Sequence, residues 1–278
     1  CASCNRVRVT VEGRVDLMGS HTDYNQGYVM TMTIDRDTWI AARPRDDRQV
    51  NIYSLNLDGG GTFEAGTTEK DTGSPWTDYV RGVAWALAEA GHLLRGFDGL
   101  VHSTIPFNSG LSSSAAIEMA TAVMFQMVGD FSIDPVEMAL LGQKAENEFV
   151  GVNSGILDQY SSALGEVGCA LLLDCRSLTS TVAPIAPGVR VVICDTRAER
   201  NLTGTEYDER RAQCEQGVRY LRRYYPGITH LRDLSPAQVA AQALELPDVI
   251  ARRCRFIVEE NQRVLDLAPA LSTGDRQR

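Results

Sequence analysis

Apolar and polar residues alternate near the start of the chain, with Val7, Val9 and Val11 separated by Arg8 and Thr10. This predicts a half-buried strand leading into a polar run. Between residues 29 and 64, short β-prone pieces such as Thr38-Trp39-Ile40-Ala41 are broken by turn clusters, which reads as an antiparallel meander. The period then changes. Trp76, Tyr79, Val80, Val83 and Leu87 fall on one face of an amphipathic helix. Residues 100–105 form a strand, and Ala116, Met119, Ala120, Val123 and Met127 supply the apolar face of the next helix. Asp134-Pro135-Val136-Glu137 is a capped helix start, with an acid at the N-cap, proline at the first helical position and Glu three residues on. That helix runs to about Val150 and stops at Gly151.

Residues 151–159 read as a loop, followed by a hairpin turning at 165–168 and a strand at 169–173 that closes a first domain, 1–182. Pro184 and Pro187 mark the joint, and Val189-Arg190-Val191-Val192-Ile193 starts a second domain, 183–278. There, residues 206–223 are helical, Ser235-Pro236-Ala237-Gln238 starts another helix by capping, and Ile250, Cys254, Ile257, Asn261 and Val264 define a last one. Strands occur both in meanders and between helices, so the fold class is α+β.

At 278 residues, 44% hydrophobic and 23% charged, the composition is that of a globular protein with an ample core. The 36 acidic against 27 basic residues give a net charge of -9, which argues against nucleic acid or an anionic membrane surface as partner. No apolar run approaches the ~18 residues of a membrane span, and no charged-then-apolar leader is visible. Seven cysteines lie scattered, with a CxxC only at Cys1 and Cys4 and no second pair to complete a zinc site. An odd count without a framework fits reduced thiols and a cytoplasmic location. Lysine occurs only at Lys70 and Lys144, and no GxxxxGK[ST] exists, so a P-loop nucleotide site is excluded.

Two segments carry candidate chemistry. Gly13-Arg14-Val15-Asp16-Leu17-Met18-Gly19-Ser20-His21-Thr22-Asp23-Tyr24-Asn25 packs a cation, an imidazole and carboxylates into one run. Pro106-Phe107-Asn108-Ser109-Gly110-Leu111-Ser112-Ser113-Ser114-Ala115-Ala116 is a small-residue turn opening into a helix. A helix mouth exposes N–H groups and the positive end of a dipole, Gly110 permits close approach, and the three serines add hydroxyls for phosphate oxygens or hydrated Mg²⁺. Small residues at a helix start also serve plain close packing. Glu146 and Glu148 could supply the carboxylate a hard cation wants, although each also fits a solvated face, with Lys144 spaced four from Glu148 as a surface pair. Asp158 fits a turn former, Arg14 with Asp16 a surface ion pair, and His21 and Asp23 local caps, as well as catalytic or binding roles.

Together with Gly151-Val152-Asn153-Ser154-Gly155-Ile156-Leu157-Asp158-Gln159, these two segments resemble signature stretches of the galactokinases within the GHMP small-molecule kinases. Further likenesses are Cys175-Arg176-Ser177-Leu178, Val192-Ile193-Cys194-Asp195-Thr196, the stretch 203–207 and Arg210-Arg211-Ala212-Gln213-Cys214-Glu215. The resemblance implies a two-domain fold in which ATP phosphorylates the anomeric hydroxyl of galactose, with sugar and nucleotide meeting between the domains. It implies Asp158 and Arg14 as catalytic residues. Ser20, His21, Asp23, Gly155 and Tyr207 then line the sugar pocket. Gly110, Leu111, Ser112, Ser113, Ser114, Ala115 and Trp76 serve ATP, and Ser114 and Glu146 hold Mg²⁺. A monomeric, cytoplasmic enzyme of carbohydrate metabolism follows from the same likeness.

Three departures qualify the likeness, the first two of them bearing on the sugar. The family usually has Glu where Ser20 stands, an acid that contacts the C6 hydroxyl. It also has Asn where Asp16 stands, and more glycine at Asn108 and Ser109. Arabinokinases resemble this chain at the first two places, so relaxed C6 preference is expected, with L-arabinose or N-acetylgalactosamine as alternative substrates. A sugar- and ATP-binding sensor without turnover is the other reading, against which the intact serine turn speaks. The likeness further implies about a hundred more residues, including a GxGFGG stretch, and hence an incomplete second domain.

Overall fold

The computed structural model describes residues 6–196 and 206–274; the Cys1–Cys4 pair and the stretch 203–205 lie outside the described residues. The architecture is mixed α+β, as expected. The chain divides into two compact units interleaved along the sequence. The first takes Cys1–Val15, Thr33–Leu164 and Asp195–Arg200; the second takes Asp16–Met32, Gly165–Cys194 and Asn201–Arg278.

In the first unit, β1 (Val7–Met18) begins, and it runs further than its apolar alternation indicated, so Arg14 and Asp16 lie on the strand itself. β2 (Tyr28–Pro44), β3 (Gln49–Ser54), β4 (Gly59–Glu64) and β5 (Phe97–Ser103) do not form the simple meander expected. β5 enters between β2 and β3, antiparallel to the first and parallel to the second. Between these strands comes α1 (Thr77–Glu89), as its spacing predicted. The helical crossover makes the β3–β5 pairing parallel and turns one face of each strand to the core while Tyr53 and Leu100 stay exposed on the other, an arrangement that depends on distant pairing and not on local alternation. α2 (Ser113–Gly129) lies under the sheet, and Phe97, Phe125, Ile40, Leu87, Met119 and Met124 fill the core between them. A fully buried side chain of this size contributes ~1.5–3 kcal/mol.

α3 (Pro135–Lys144) starts as its capping residues predicted: the Asp134 carboxylate accepts from the N–H groups of Val136 and Glu137. Residues 145–150 continue it as a wider π-type turn, closed by Gly151 N–H donating to the Glu146 carbonyl at 2.9 Å. The widened turn breaks the four-residue alignment of Lys144 with Glu148. Instead, the Lys144 ammonium sits 4.8 Å from the Trp85 ring centre. α4 (Leu157–Leu164) occupies a stretch read as loop and hairpin, with Leu157, Tyr160 and Ser161 buried. Its two turns follow Gly151, Asn153, Ser154 and Gly155, whose turn preference masks the start of so short a helix.

In the second unit, β6 (Cys169–Asp174) pairs with the Tyr28–Thr31 end of β2 and with β7 (Thr179–Pro184). α5 (Glu206–Leu221), α6 (Pro236–Ala241) and α7 (Asp248–Thr273) surround Cys214, Leu221, Leu231, Ile250, Cys254 and Ile257. α6 carries the expected capping box between Ser235 and Gln238. Val192 and Ile193 lie exposed in a segment without regular structure. No helix of the described residues is long and apolar enough to cross a membrane.

Candidate active site

In the first unit, strand alternation turns Gly13 and Arg14 to opposite faces of β1, and the serine turn sits against both. An added Cβ on Gly13 would lie 2.7 Å from the Leu111 carbonyl, so only glycine lets the turn approach this closely. The Arg14 N–H donates to the same carbonyl at 3.3 Å. The Arg14 guanidinium, nine-tenths buried, then forks. Its Nε donates to Asp158 Oδ1 at 2.9 Å, Nη2 also pairs with Asp158, and Nη1 donates to the Gly110 carbonyl at 2.9 Å. One planar cation thus ties a carboxylate 144 residues away to the turn that precedes α2. Asp158 itself sits in the first turn of α4, not in a loop, where the helix dipole favours a negative charge.

The turn has the backbone of an anion cradle. Asn108, Gly110 and Ser112 all have positive φ, at 56°, 77° and 60°, and α2 begins at Ser113 without a side-chain cap. No cap side chain accepts its first N–H groups, which a helix leaves without intrahelical partners. The Ser112 hydroxyl is buried and unpartnered. Ser113 and Leu111 are half-buried beside it, and Ala115 is fully buried. Trp76, at the start of α1, is half-buried with an unpartnered indole N–H.

Glu146 is buried at 3% exposure, not on a solvated face. The π-type turn carries it inward, where it accepts from the Ser154 hydroxyl and from Gln159 Nε2 at 2.8 Å, with the Ser114 hydroxyl close enough to favour its charged form. Glu148 stays exposed. Burial, followed by the nearby Asp158 charge, pushes the Glu146 carboxyl above its ordinary range. No Arg or Lys pairs with Glu146 among the described residues. Sequence reasoning missed two further members, Glu118 and Gln159, both fully buried. A lone acid among Ala115, Ala116, Ile117, Met119 and Ala120 was the available signal for Glu118. Its carboxyl is pushed well up, first by burial and then by Glu146.

These donors fit a divalent cation delivered with a nucleotide. Mg²⁺ takes one or two carboxylates plus phosphate oxygens and waters. Glu146 and Ser114 supply one carboxylate and one hydroxyl beside the helix mouth, on a carboxylate without a cationic partner. No cage of three or more His, Cys, Asp or Glu exists among the described residues.

The remaining predicted residues belong to the second unit, apart from Gly155, which lies buried in the first just before α4. His21 has φ 69°, and its Nδ1 lies 2.9 Å from the Tyr24 hydroxyl. Its ring lies 5.3 Å from that of Tyr207. Burial, then the charges of Arg210 and Arg253, lowers His21 to about 4, so the ring is neutral at physiological pH. Asp23 opens a single 3-10 turn, and the Ser20 hydroxyl donates to Asp16 Oδ2 at 2.7 Å. α7 holds this loop at both ends: Gly19 N–H donates to Glu260 Oε1 at 2.8 Å, and Tyr28 N–H donates to Asn261 Oδ1 at 2.9 Å. Arg232 adds a bond to the Gln26 carbonyl at 2.8 Å and one to the Tyr28 hydroxyl at 2.6 Å.

A turn with the backbone of an anion cradle, a buried carboxylate and a guanidinium-held aspartate fit a phosphotransferase that works by positioning and electrostatics. Residues 78–166 match the model of the GHMP kinases N terminal domain, and residues 5–44 match the galactokinase galactose-binding signature. A galactokinase of Roseiflexus sp. (strain RS-1) is 46% identical over 97% of this chain and 68% of its own length. That of Chloroflexus aggregans is 46% identical over 95% and 67%. The crystal structure of Lactococcus lactis galactokinase complexed with galactose superposes with a TM-score of 0.88 at 34% identity, covering 98% of this chain and 71% of that one. A D-glycero-D-manno-heptose 1-phosphate kinase shares the fold alone, with a TM-score of 0.60 at 15% identity. The chain belongs to the galactokinases, the ATP-dependent sugar kinases of the GHMP kinase family.

Proposed function

We propose that the protein transfers the γ-phosphoryl group of ATP to the anomeric C1 hydroxyl of galactose. The observation that carries the site assignment is the Arg14 fork, which joins Asp158 to the Gly110 carbonyl at the mouth of α2. The C1 oxygen attacks the γ-phosphorus and forms the new O–P bond. The bond from that phosphorus to the β–γ bridging oxygen breaks, the hydroxyl proton passes to Asp158, and ADP leaves. Arg14 steadies the Asp158 carboxylate and the charge on the transferring group. Gly110, Leu111, Ser112, Ser113, Ser114 and Ala115 receive the phosphates, and Trp76 lies near the base. His21, Asp23, Gly155 and Tyr207 meet sugar hydroxyls, with neutral His21 able to accept or donate. Glu146 and Ser114 would hold Mg²⁺, which neutralises phosphate charge when bound.

A coupled ADP-release assay with galactose tests the assignment. Asp158→Asn lowers kcat by at least ~10², the low end for a general base, and near-normal turnover removes Asp158 from that role.

The Ser20–Asp16 hydrogen bond favours a second reading of the substrate. Ser20 is short, uncharged and turned to its own strand, so no carboxylate at that position demands a C6 hydroxyl. Relaxed preference, with L-arabinose accepted, follows; a galactose preference above ~10³ in kcat/KM, beyond one lost polar contact, refutes it. A monomeric, cytoplasmic enzyme belongs to the same proposal. The free, buried Cys175, Cys214 and Cys254 support a reducing compartment, and light scattering reads the oligomeric state.

A further inference from the structure

We infer that Gln159 and Glu118 form a buried clamp that sets the position of the Glu146 carboxylate, making both positioning residues for the metal–nucleotide site. Gln159 Nε2 donates to Glu118 Oε2 and to Glu146 Oε2, each at 2.8 Å. An amide nitrogen has two N–H groups, and both partners here are acceptors, so the nitrogen is saturated and the orientation of the amide is fixed. Glu118 comes from α2, Glu146 from the π-type turn and Gln159 from α4, so one side chain ties three elements together.

Gln159 also follows Asp158 directly in α4. Anchoring its side chain fixes the rotation of the helix turn that presents Asp158 to Arg14. Space for the amide stem is reserved by Gly142, where an added Cβ would lie 3.1 Å from Gln159 Cγ and 2.3 Å from Met119 Cε. Gln159 Oε1 and Glu118 Oε1 are buried without partners, an arrangement that simple packing would replace with apolar side chains. Burial, assisted by Glu146, holds the Glu118 carboxyl above its ordinary range and so toward the neutral acid.

The inference rests on the kinase reading, and the experiment separates the two. Mg²⁺-dependent ADP binding is measured by calorimetry on the unsubstituted chain and on Gln159→Leu, Glu118→Leu and Glu118→Gln, with thermal melting on each and the Mg²⁺ dependence of turnover alongside. Loss of a partner that orients a metal-holding carboxylate costs ~10–100-fold in metal affinity. Gln159→Leu and Glu118→Leu therefore raise the Mg²⁺ concentration for half-maximal ADP binding at least ~10-fold, with the KM for galactose changing less than ~3-fold. Glu118→Gln keeps a carbonyl acceptor and stays within ~3-fold of the unsubstituted protein, which a requirement for charge would not allow. Folded leucine variants with unchanged Mg²⁺ dependence overturn the clamp and leave the kinase reading standing. An unsubstituted chain that binds no ADP at any Mg²⁺ concentration overturns both. If the leucine variants fail to fold, Gly142→Ala, which crowds the Gln159 stem, takes their place with the same expected shift and the same refuting result.

Discussion

Arg14→Lys is the substitution that most directly tests how the site is held. The guanidinium uses separate branches for separate partners: Nε and Nη2 toward Asp158, Nη1 toward the Gly110 carbonyl. A lysine ammonium keeps the charge but gathers its donors on one atom, so it serves Asp158 or Gly110 and not both. Two of the three bonds are lost. Hydrogen bonds to charged groups contribute ~1.5–3 kcal/mol each. The Asp158 side chain is 25% exposed, so the lower figure applies, giving about 3 kcal/mol in all. That corresponds to ~100-fold in kcat/KM if the bonds act on the transition state. If they act on folding instead, Tm falls by ~5 °C. Measuring kcat and KM for both substrates, together with melting, separates these outcomes. A kcat/KM within ~3-fold of the parent and an unchanged Tm would refute the bridging role.

Three other outcomes follow from the geometry. Gly13→Ala places a methyl 2.7 Å from the Leu111 carbonyl and 2.9 Å from Ile105 Cδ1, displacing the serine turn. The KM for ATP then rises at least ~10-fold, and an unchanged KM contradicts the close approach. Glu260→Ala strips the Gly19 N–H of its buried acceptor, costing ~1–3 kcal/mol in stability and raising the KM for galactose with that for ATP unchanged; equal effects on both substrates count against loop positioning. His21 titrates near 4 by NMR, against 6.5 when unfolded. The unfolded chain holds the extra proton between those values, so His21 lowers stability as pH falls from 6.5 to 4 and contributes no such slope above 6.5. A His21 midpoint near 6.5 rejects the burial argument.

Local chemistry made several features legible. Asp134 and Ser235 announce their helices because capping is settled within four residues, and the helix spacing finds the buried Ala116, Met119 and Ala120 of α2, whereas Val123 on the same predicted face is half-buried and Met127 is exposed. The serine turn stood out by residue type, whereas Arg14 and Asp158 were singled out only by the family resemblance. Other features were hidden because their causes are distant in sequence. β5 inserts between β2 and β3 and so pairs with strands far from it in the sequence. Glu146 turns inward because a widened turn, invisible to a four-residue period, rotates it away from solvent. α4 is stabilised by burial of Leu157 and Tyr160 rather than by a strong local start.

By itself, the order of residues determined which groups were present, where helices could begin and which turn could receive an anion. It left Arg14, Asp158, Glu146 and Glu118 as isolated charges, each compatible with an ordinary surface. Only the tertiary structure decided that the guanidinium is shared between Asp158 and the Gly110 carbonyl and that Gln159 is shared between two buried carboxylates. The reason is physical. Capping and periodicity act over a few residues, whereas desolvation and charge pairing depend on which distant segments exclude water together.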